Sequence, residues 1–395
     1  MKPILKKISK LWLSKKTSKF YRDLYHTIDL NTKIIGIKGA RGSGKTTLLH
    51  QIAKNSKQKP SQILYVSCDS PVMAGVDLFE LATTFEQYGG KLLLIDEIHK
   101  FNDFSSHIKS MYDFLDIQVI FTGSSAIIIN HESGDLSRRA SIHYLPIMSF
   151  REFIELKENI VLPSYSFKDI LNNHEDIVYE VLEHIKPLEL YTQYLQYGAY
   201  PFFKESITDY PMRLLDVVNV TIESDLSAIF NINSEKQNVL KRVLSMLCNT
   251  SPYEINKSKL SQDTNISWAT LSKYLTYMKQ GDLINLIDAP HNHKRLNKPS
   301  KMLLNNPNLF YVLCATPNIG TIRESYFISQ LNHIYNINYS DTGDFIIDDK
   351  YTVEIGGASK GNKQIKNVEN SFVLRDDMES GYDNIIPLWL FGLAK

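Results

Sequence analysis

This chain has little cysteine, no long apolar run, almost no net charge and only moderate glycine and proline, and each shortage excludes something. Its three cysteines, Cys68, Cys248 and Cys314, are odd in number and widely spaced along 395 residues. That pattern supports neither a disulfide framework nor a metal knuckle, and it fits a reducing cytoplasm. No run approaches the roughly 18 apolar residues of a membrane span. The patch Leu11-Trp12-Leu13 is too short for a signal-peptide core and no small-residue cleavage site follows it, so the chain reads as neither exported nor membrane-spanning. With a formal charge of +1, any affinity for nucleic acid must come from a local patch. With 18 glycines, 14 prolines and 43% hydrophobic residues, the composition excludes fibrous and disordered classes and leaves a folded protein of two or three domains.

What is present begins with a basic lead. Lys2, Lys6, Lys7, Lys10, Lys15, Lys16 and Lys19 precede the first acid, Asp23; they read either as the solvated face of a helix or as a phosphate-contacting arm. Apolar runs at 33–38, 63–67, 91–95, 118–122 and 140–145 alternate with helical or loop stretches. Strands apolar on both faces and separated by helices predict an α/β fold with a parallel sheet covered on both sides. From Ser149 the period becomes helical, as in SFREFIELKENI and LYTQYLQY, with breaks at Gly198 and Pro201. A helix ending near Asn249, a short helix over 257–263, a turn at Asn265, a longer helix over 268–279 and a strand over 283–287 follow the winged-helix order. Trp268, Leu271, Leu275 and Met278 stand at core spacing, while Thr270, Ser272, Lys273 and Lys279 are left to solvent. After the polar linker HNHKRLNKPSK, a helix over 324–335 and strands over 344–347, 351–355, 371–374 and 387–391 form a small α/β module.

Chemistry concentrates in two segments. Between the first strand and the first helix runs GARGSGKT, from Gly39 through Ala40, Arg41, Gly42, Ser43, Gly44 and Lys45 to Thr46, followed by Thr47. Glycines there let consecutive backbone N–H groups wrap a phosphate chain at a helix N-terminus. Lys45 is then expected on the β- and γ-phosphates, the Thr46 hydroxyl on Mg²⁺ and Thr47 on an α-phosphate oxygen, which makes ATP the predicted ligand. The second segment, KLLLIDEIHK, releases Asp96 and Glu97 at the carboxyl end of a buried strand, where open α/β sheets place ligands. Asp96 is expected to hold Mg²⁺ and Glu97 to polarise the attacking water. The fourth strand ends in FTGSSA, offering Ser124 and Ser125 to the γ-phosphate or, alternatively, as a helix cap. Arg138 and Arg139, just before the fifth strand, are either a surface pair or a transition-state guanidinium acting in a neighbouring subunit.

The succession P-loop, DEIH, FTGSS and GDLSRRASIHYLPIMSFREF resembles the AAA+ ATPases of a large prokaryotic family, and the resemblance continues through LQYGAYPFF, KMLLNNPNLFYVL, GTIRESYF and VEIGG. It implies a basic lead at 1–30, an AAA+ P-loop domain of ASCE type at 31–147, a helical lid at 148–234, a winged-helix-like domain at 235–290 and a module similar to PD-(D/E)xK nucleases at 300–395. In that nuclease pattern an Asp and a Glu-x-Lys on the next strand bind Mg²⁺ and orient water. Asp344 and Glu354 match it, whereas Gly356 stands where the lysine belongs and Lys360 lies beyond the strand. The match therefore reads as a degenerate nuclease site, either retained for nucleic-acid binding or docking or purely structural, with cleavage the third alternative.

The resulting expectation is a cytoplasmic ATP hydrolase whose turnover repositions its C-terminal modules on double-stranded DNA or on a protein partner, within a homo-oligomer. The alternatives are a non-hydrolytic, nucleotide-dependent switch of defence type, a helicase suggested by DEIH or a nuclease-linked ATPase. A small-molecule kinase lacks a recognisable acceptor site.

Overall fold

A computed structural model describes residues 2–101, 103–123, 136, 138–230, 232–248, 253–289, 301–361 and 363–395. The chain divides into two compact units, residues 1–146 and 147–395. No helix among the described residues is long and apolar enough to cross a membrane.

The first unit is built on strands β1 (Ile34–Lys38), β2 (Ile63–Ser67), β3 (Leu92–Asp96), β4 (Gln118–Gly123) and β5 (Ser141–Tyr144). They form one parallel sheet in the order β2-β3-β4-β1-β5. Because successive side chains point to opposite faces, each run of branched residues feeds two cores. Ile34, Leu64, Val66, Leu93, Ile95, Val119 and Phe121 join one core, completed by α4 (Leu78–Gln87) and α5 (Phe104–Phe114). Ile35, Ile37, Ile63, Tyr65, Leu92, Leu94 and Ile120 join the other, with Leu48, Leu49 and Ile52 of α3 (Lys45–Asn55).

The basic lead folds as α1 (Pro3–Ser14) and the short α2 (Asp23–Thr27). Leu5, Ser9, Trp12 and Leu13 are buried while Lys6, Lys7 and Lys10 stay exposed, the division expected of an amphipathic helix. Ser9 Oγ accepts the Tyr65 N–H of edge strand β2 at 2.9 Å, and Trp12 stacks on the Tyr65 ring at 3.8 Å.

The second unit opens with α6 (Phe150–Glu158), whose start is fixed by a reciprocal Ser149–Glu152 capping box, and α7 (Phe167–Leu182). Helix α8 (Pro187–Gln193) runs into a π-turn at Tyr194–Gly198. There the Asn308 amide donates to the carbonyls of Tyr194 and Leu195 at 2.8 Å each and accepts the Ala199 N–H at 2.8 Å, so a side chain from α14 (Pro307–Leu313) satisfies the widened turn. Next come α9 (Tyr210–Val220), the single turn α10 (Ser227–Phe230), α11 (Ser234–Cys248), β6 (Tyr253–Glu254), α12 (Lys257–Thr264), α13 (Trp268–Gln280), β7 (Ile284–Ile287) and β8 (Lys301–Leu304). The three strands form an antiparallel sheet in the order β6-β8-β7. After α15 (Ile319–Leu331), strands β9 (Ile337–Tyr339), β10 (Phe345–Ile347), β11 (Tyr351–Gly356), β12 (Ser371–Arg375) and β13 (Ile385–Pro387) form a mixed sheet. Its order is β13-β12-β11-β10-β9, antiparallel from β9 to β11 and parallel from β11 to β13.

Four expectations change. Cys248 and Cys314 form a disulfide with Cα atoms 5.1 Å apart, because the fold brings the ends of α11 and α14 together across 66 residues of sequence; only Cys68 is free. The last strand ends at Pro387, and Leu388–Leu393 is a fully buried 3₁₀ turn, a segment apolar on every side whose sequence carries no period. Leu271, Leu275 and Met278 are buried as expected, whereas Trp268 at the first position of α13 is half-buried, with Lys257 Nζ 5.5 Å from its ring centroid. Lys301–Leu304, expected in the C-terminal module, pairs with β7 and β6.

Candidate functional site

The loop between β1 and α3 carries the glycine-rich segment. Gly42 and Gly44 take φ of 82° and 101°, a left-handed region costly for any residue with a Cβ. At Gly39 a Cβ would run into the Leu145 carbonyl oxygen. Lys45 Nζ donates to the carbonyls of Gly39 and Ala40 at 2.9 and 2.8 Å, curling the loop around its own lysine. Arg41 is half-buried and Thr47 faces solvent. Gly39 to Gly44 form the turn and Lys45 to Thr47 open α3, so strand, glycine-rich turn and helix follow in the order expected from the sequence.

Across the loop lies the end of β3. Asp96 is 3% exposed. Its Oδ2 accepts from Thr46 Oγ1 at 2.7 Å and from Tyr65 OH at 3.1 Å, and its Oδ1 accepts a short bond from Thr122 Oγ1. Burial pushes the Asp96 carboxyl up, and the Thr122 and Thr46 hydroxyls pull it back. Burial likewise raises the Tyr65 phenol and, with Asp96 nearby, holds the Cys68 thiol at about 12, so Cys68 is no nucleophile here.

Glu97 sits in the left-handed region at φ 53°, a strained conformation for a side-chain-bearing residue that concentrates at functional sites. Its N–H donates to Thr122 Oγ1 at 3.2 Å, so one hydroxyl steadies both acids. His99 Nδ1 approaches Glu97 Oε2 at 3.3 Å, yet that oxygen makes no hydrogen bond; the ion-pair distance is met and the directional requirement is not.

These residues fit a magnesium-bound nucleotide. Ser43 Oγ, in the loop itself, and Glu97 Oε2 are buried polar atoms without a hydrogen-bond partner, and the loop's lysine turns inward onto carbonyls. Thr46 and Asp96, already in contact, are the oxygen pair suited to the cation.

Not every expected residue joins this cluster. Ser124 and Ser125 lie outside the described residues. Thr122, at the end of β4, is a hydroxyl that meets both acids, and the sequence reading did not single it out. Arg139 precedes β5, beside the start of β1, where Arg139 Nε donates to Asp113 Oδ1 at 3.1 Å. The phosphate loop lies at the other end of β1, about 16 Å away for five residues at about 3.3 Å each. Within one chain Arg139 therefore does not reach the loop, and exposed Arg138 stands beside it. Tyr65, His99 and Arg22 were not singled out in the sequence. Arg22 in particular lies in the basic lead, and nothing local marks it.

A second cluster lies in the other unit. Asp344 Oδ2 accepts the Ile355 N–H at 2.7 Å, and Glu354, 3% exposed on β11, pairs with Lys360 Nζ. A Cβ on Gly356 would meet Cβ and Cγ of Lys360 at 2.5 Å. Lys360, from beyond the end of β11, thus occupies the space over Gly356. Lys301, 4% exposed, binds Glu324 Oε2 at 2.5 Å and stands 3.7 Å from Asp344 Oδ1. Burial raises the Glu324 carboxyl to about 7. Neither Glu324 nor Lys301 was flagged by the sequence, since each looks like an ordinary residue of a helix or strand.

Comparison with known proteins bears on both units. Residues 31–154 match a family described as an AAA domain, and residues 188–318 match a domain of unknown function (DUF8612). An uncharacterized protein of Methanocaldococcus jannaschii is 28% identical over 265 residues, covering 64% of this chain and 56% of that protein, so the chain spans little more than half the length of this relative. Among solved structures, the S. cerevisiae Hsp104–ADP complex aligns at TM-score 0.34 and 16% identity over 69% of this chain and 41% of the other. AMPPCP-bound DnaA from Aquifex aeolicus aligns at TM-score 0.24 and 14% identity over 70% of this chain and 87% of the other. At these TM-scores neither likeness bears on what the chain does. Residues 31–154, which hold the five-stranded parallel sheet, its glycine-rich loop and the Asp96–Glu97 pair, are thus similar to an AAA domain.

Proposed function

We propose that the chain is an ATP hydrolase whose turnover drives conformational change on a nucleic-acid or protein partner. The observation that carries this reading is the Thr46–Asp96–Thr122–Glu97 arrangement beside a loop whose lysine and serine await phosphate oxygens. The N–H groups of the loop, with Lys45 released from the Gly39 and Ala40 carbonyls, hold and orient the phosphates. Thr46 and Asp96 would hold Mg²⁺, which when bound supplies charge neutralisation at the phosphate oxygens. Glu97 Oε2 orients the attacking water and accepts its proton as the new bond to the γ-phosphorus forms and the bond to the ADP oxygen breaks. Arg139, unable to reach its own loop, is assigned to a neighbouring subunit's site, which makes a homo-oligomer part of the proposal. The decisive experiment is Glu97→Gln. Turnover should fall at least about a hundredfold with ATP affinity unchanged; unaltered turnover would favour the non-hydrolytic switch.

A second reading concerns the C-terminal unit. The helix–strand–helix–helix–strand–strand order of α11 to β8 supports a winged-helix assignment, and the mixed sheet with Asp344, Glu354 and a lysine arriving from position 360 supports a nuclease-like one. Double-stranded DNA is the partner these would share. Incubation of supercoiled plasmid with magnesium tests it: nicking that Lys360→Ala abolishes supports catalysis, while intact plasmid leaves the module a docking element.

A further inference from the structure

Arg22 is 4% exposed, although it lies in the lysine-rich lead and has no role in the reading above. Its guanidinium donates from one nitrogen to the Ser43 carbonyl at 2.5 Å, inside the phosphate loop, and from the other to the Pro146 carbonyl at 2.7 Å. Pro146 is the last residue of the first unit. The same two segments meet a second time where Gly39 has no room for a Cβ against the Leu145 carbonyl, and Leu145 N–H closes the strand on the Lys38 carbonyl at 2.7 Å. The segment carrying Arg22 is itself anchored to the helix of the phosphate loop, since Gln51 Nε2 donates to the carbonyls of Phe20 at 2.6 Å and Ser18 at 3.4 Å.

We infer that Arg22 is a positioning residue with two duties. It holds the phosphate loop in its binding shape, and it ties the loop to the point where the chain leaves the first unit, so that nucleotide occupancy is felt at residues 145 and 146. The planar fork of an arginine suits this task, because it can serve two carbonyls at once; an ammonium serves them only as a point. A carbonyl at Ser43 held by a buried cation keeps the neighbouring N–H groups turned outward to the phosphates, and a shift of the loop on binding is handed directly to the Pro146 carbonyl. This inference rests on the loop being the ATP site.

The test uses the full chain and its Arg22→Met and Arg22→Lys variants. Loop contacts are made equally to bound ATP and to the transition state, so Arg22→Met should raise KM about tenfold while kcat stays within about twofold. Millimolar guanidinium should lower that KM again, a recovery that a purely structural defect would not give. Hydrogen exchange with magnesium and a nonhydrolysable ATP analogue supplies the second readout. In the wild type, peptides covering 39–47 and 141–150 should both gain protection; in Arg22→Met at saturating analogue, the first should still gain it and the second should not. Arg22→Lys should fall between and serves in its place if the methionine variant does not fold. An unchanged KM, or full protection of 141–150 in the variants, overturns the inference. A wild type that neither binds nor hydrolyses ATP instead defeats the reading of the loop, and the two failures are distinguishable.

Discussion

Thr122→Val is the most informative single change in the ATP site, because one wholly buried hydroxyl donates to Asp96 and accepts from the Glu97 N–H. Valine keeps the shape and removes both bonds. A hydrogen bond to a charged group contributes roughly 1.5 to 3 kcal/mol, so the loss of Asp96 positioning alone predicts a fall in kcat/KM of about 10- to 100-fold. Asp96 keeps its bonds from Thr46 and Tyr65, which is why the carboxylate should not be lost outright. Tyr65→Phe removes the longer bond, at 3.1 Å, from an oxygen that keeps its bond from Thr46; at about 1 kcal/mol it should cost only about fivefold. The assay is steady-state phosphate release, paired with binding of a fluorescent ATP analogue, whose affinity should move less than about threefold because the loop donors are untouched. Thr122→Ser should restore most of the rate. Wild-type turnover in Thr122→Val, or a greater loss in Tyr65→Phe, would refute the assignment of Thr122 as the hydroxyl that steadies both acids.

Other outcomes follow from the same geometry. The Glu324 carboxyl, raised from 4.5 to about 7 by burial, binds its proton more tightly in the folded state than in the unfolded one. Its contribution is therefore fully present below about pH 4.5 and lost as pH rises through 7, up to about 3 kcal/mol from 1.4 kcal/mol per unit. Denaturant titrations at pH 5 and 8 should reveal this slope in the wild type, and Glu324→Gln should flatten it; an unchanged slope would assign it elsewhere. Reduction of Cys248–Cys314, which closes a 66-residue separation, should destabilise the second unit by about 4 kcal/mol on the chain-entropy account. A melting temperature indifferent to reductant would argue that the pair is not formed in solution. Mixing Arg139→Ala with Lys45→Ala subunits should recover activity that neither has alone, and a silent mixture would leave Arg139 with its structural partner Asp113.

Much of the proposed ATP site can be read from the sequence because its chemistry is local. Gly39 to Thr46 are consecutive, and Asp96 and Glu97 follow an apolar strand whose two-sided burial any parallel sheet requires. What escaped reading is what depends on register between distant strands. Tyr65 reaches Asp96 because β2 runs beside β3, and Thr122 does so because β4 lies on the other side; no spacing in the sequence encodes either meeting. The approach of Lys360 to Gly356 is hidden for the same reason, since only the fold of the loop beyond β11 brings its side chain over the glycine. The cysteines misled because distance along the chain was taken for distance in space. The end of β13 misled because a buried 3₁₀ turn and a buried strand are equally apolar.

The hydroxyl of Ser9 has a consequence beyond the packing of the lead. An edge strand with free N–H groups is a template on which another chain can add a strand. At β2 that template is blunted, since the outward N–H of Tyr65 is already taken by Ser9 and its ring is covered by Trp12. Copies of this chain cannot join into a continuous sheet through that edge without first peeling α1 away, so the lead protects against self-association of an uncontrolled, open-ended kind. At this edge, contact between copies is left to side chains and to the exposed face of α1, which can be specific where a bare backbone edge cannot.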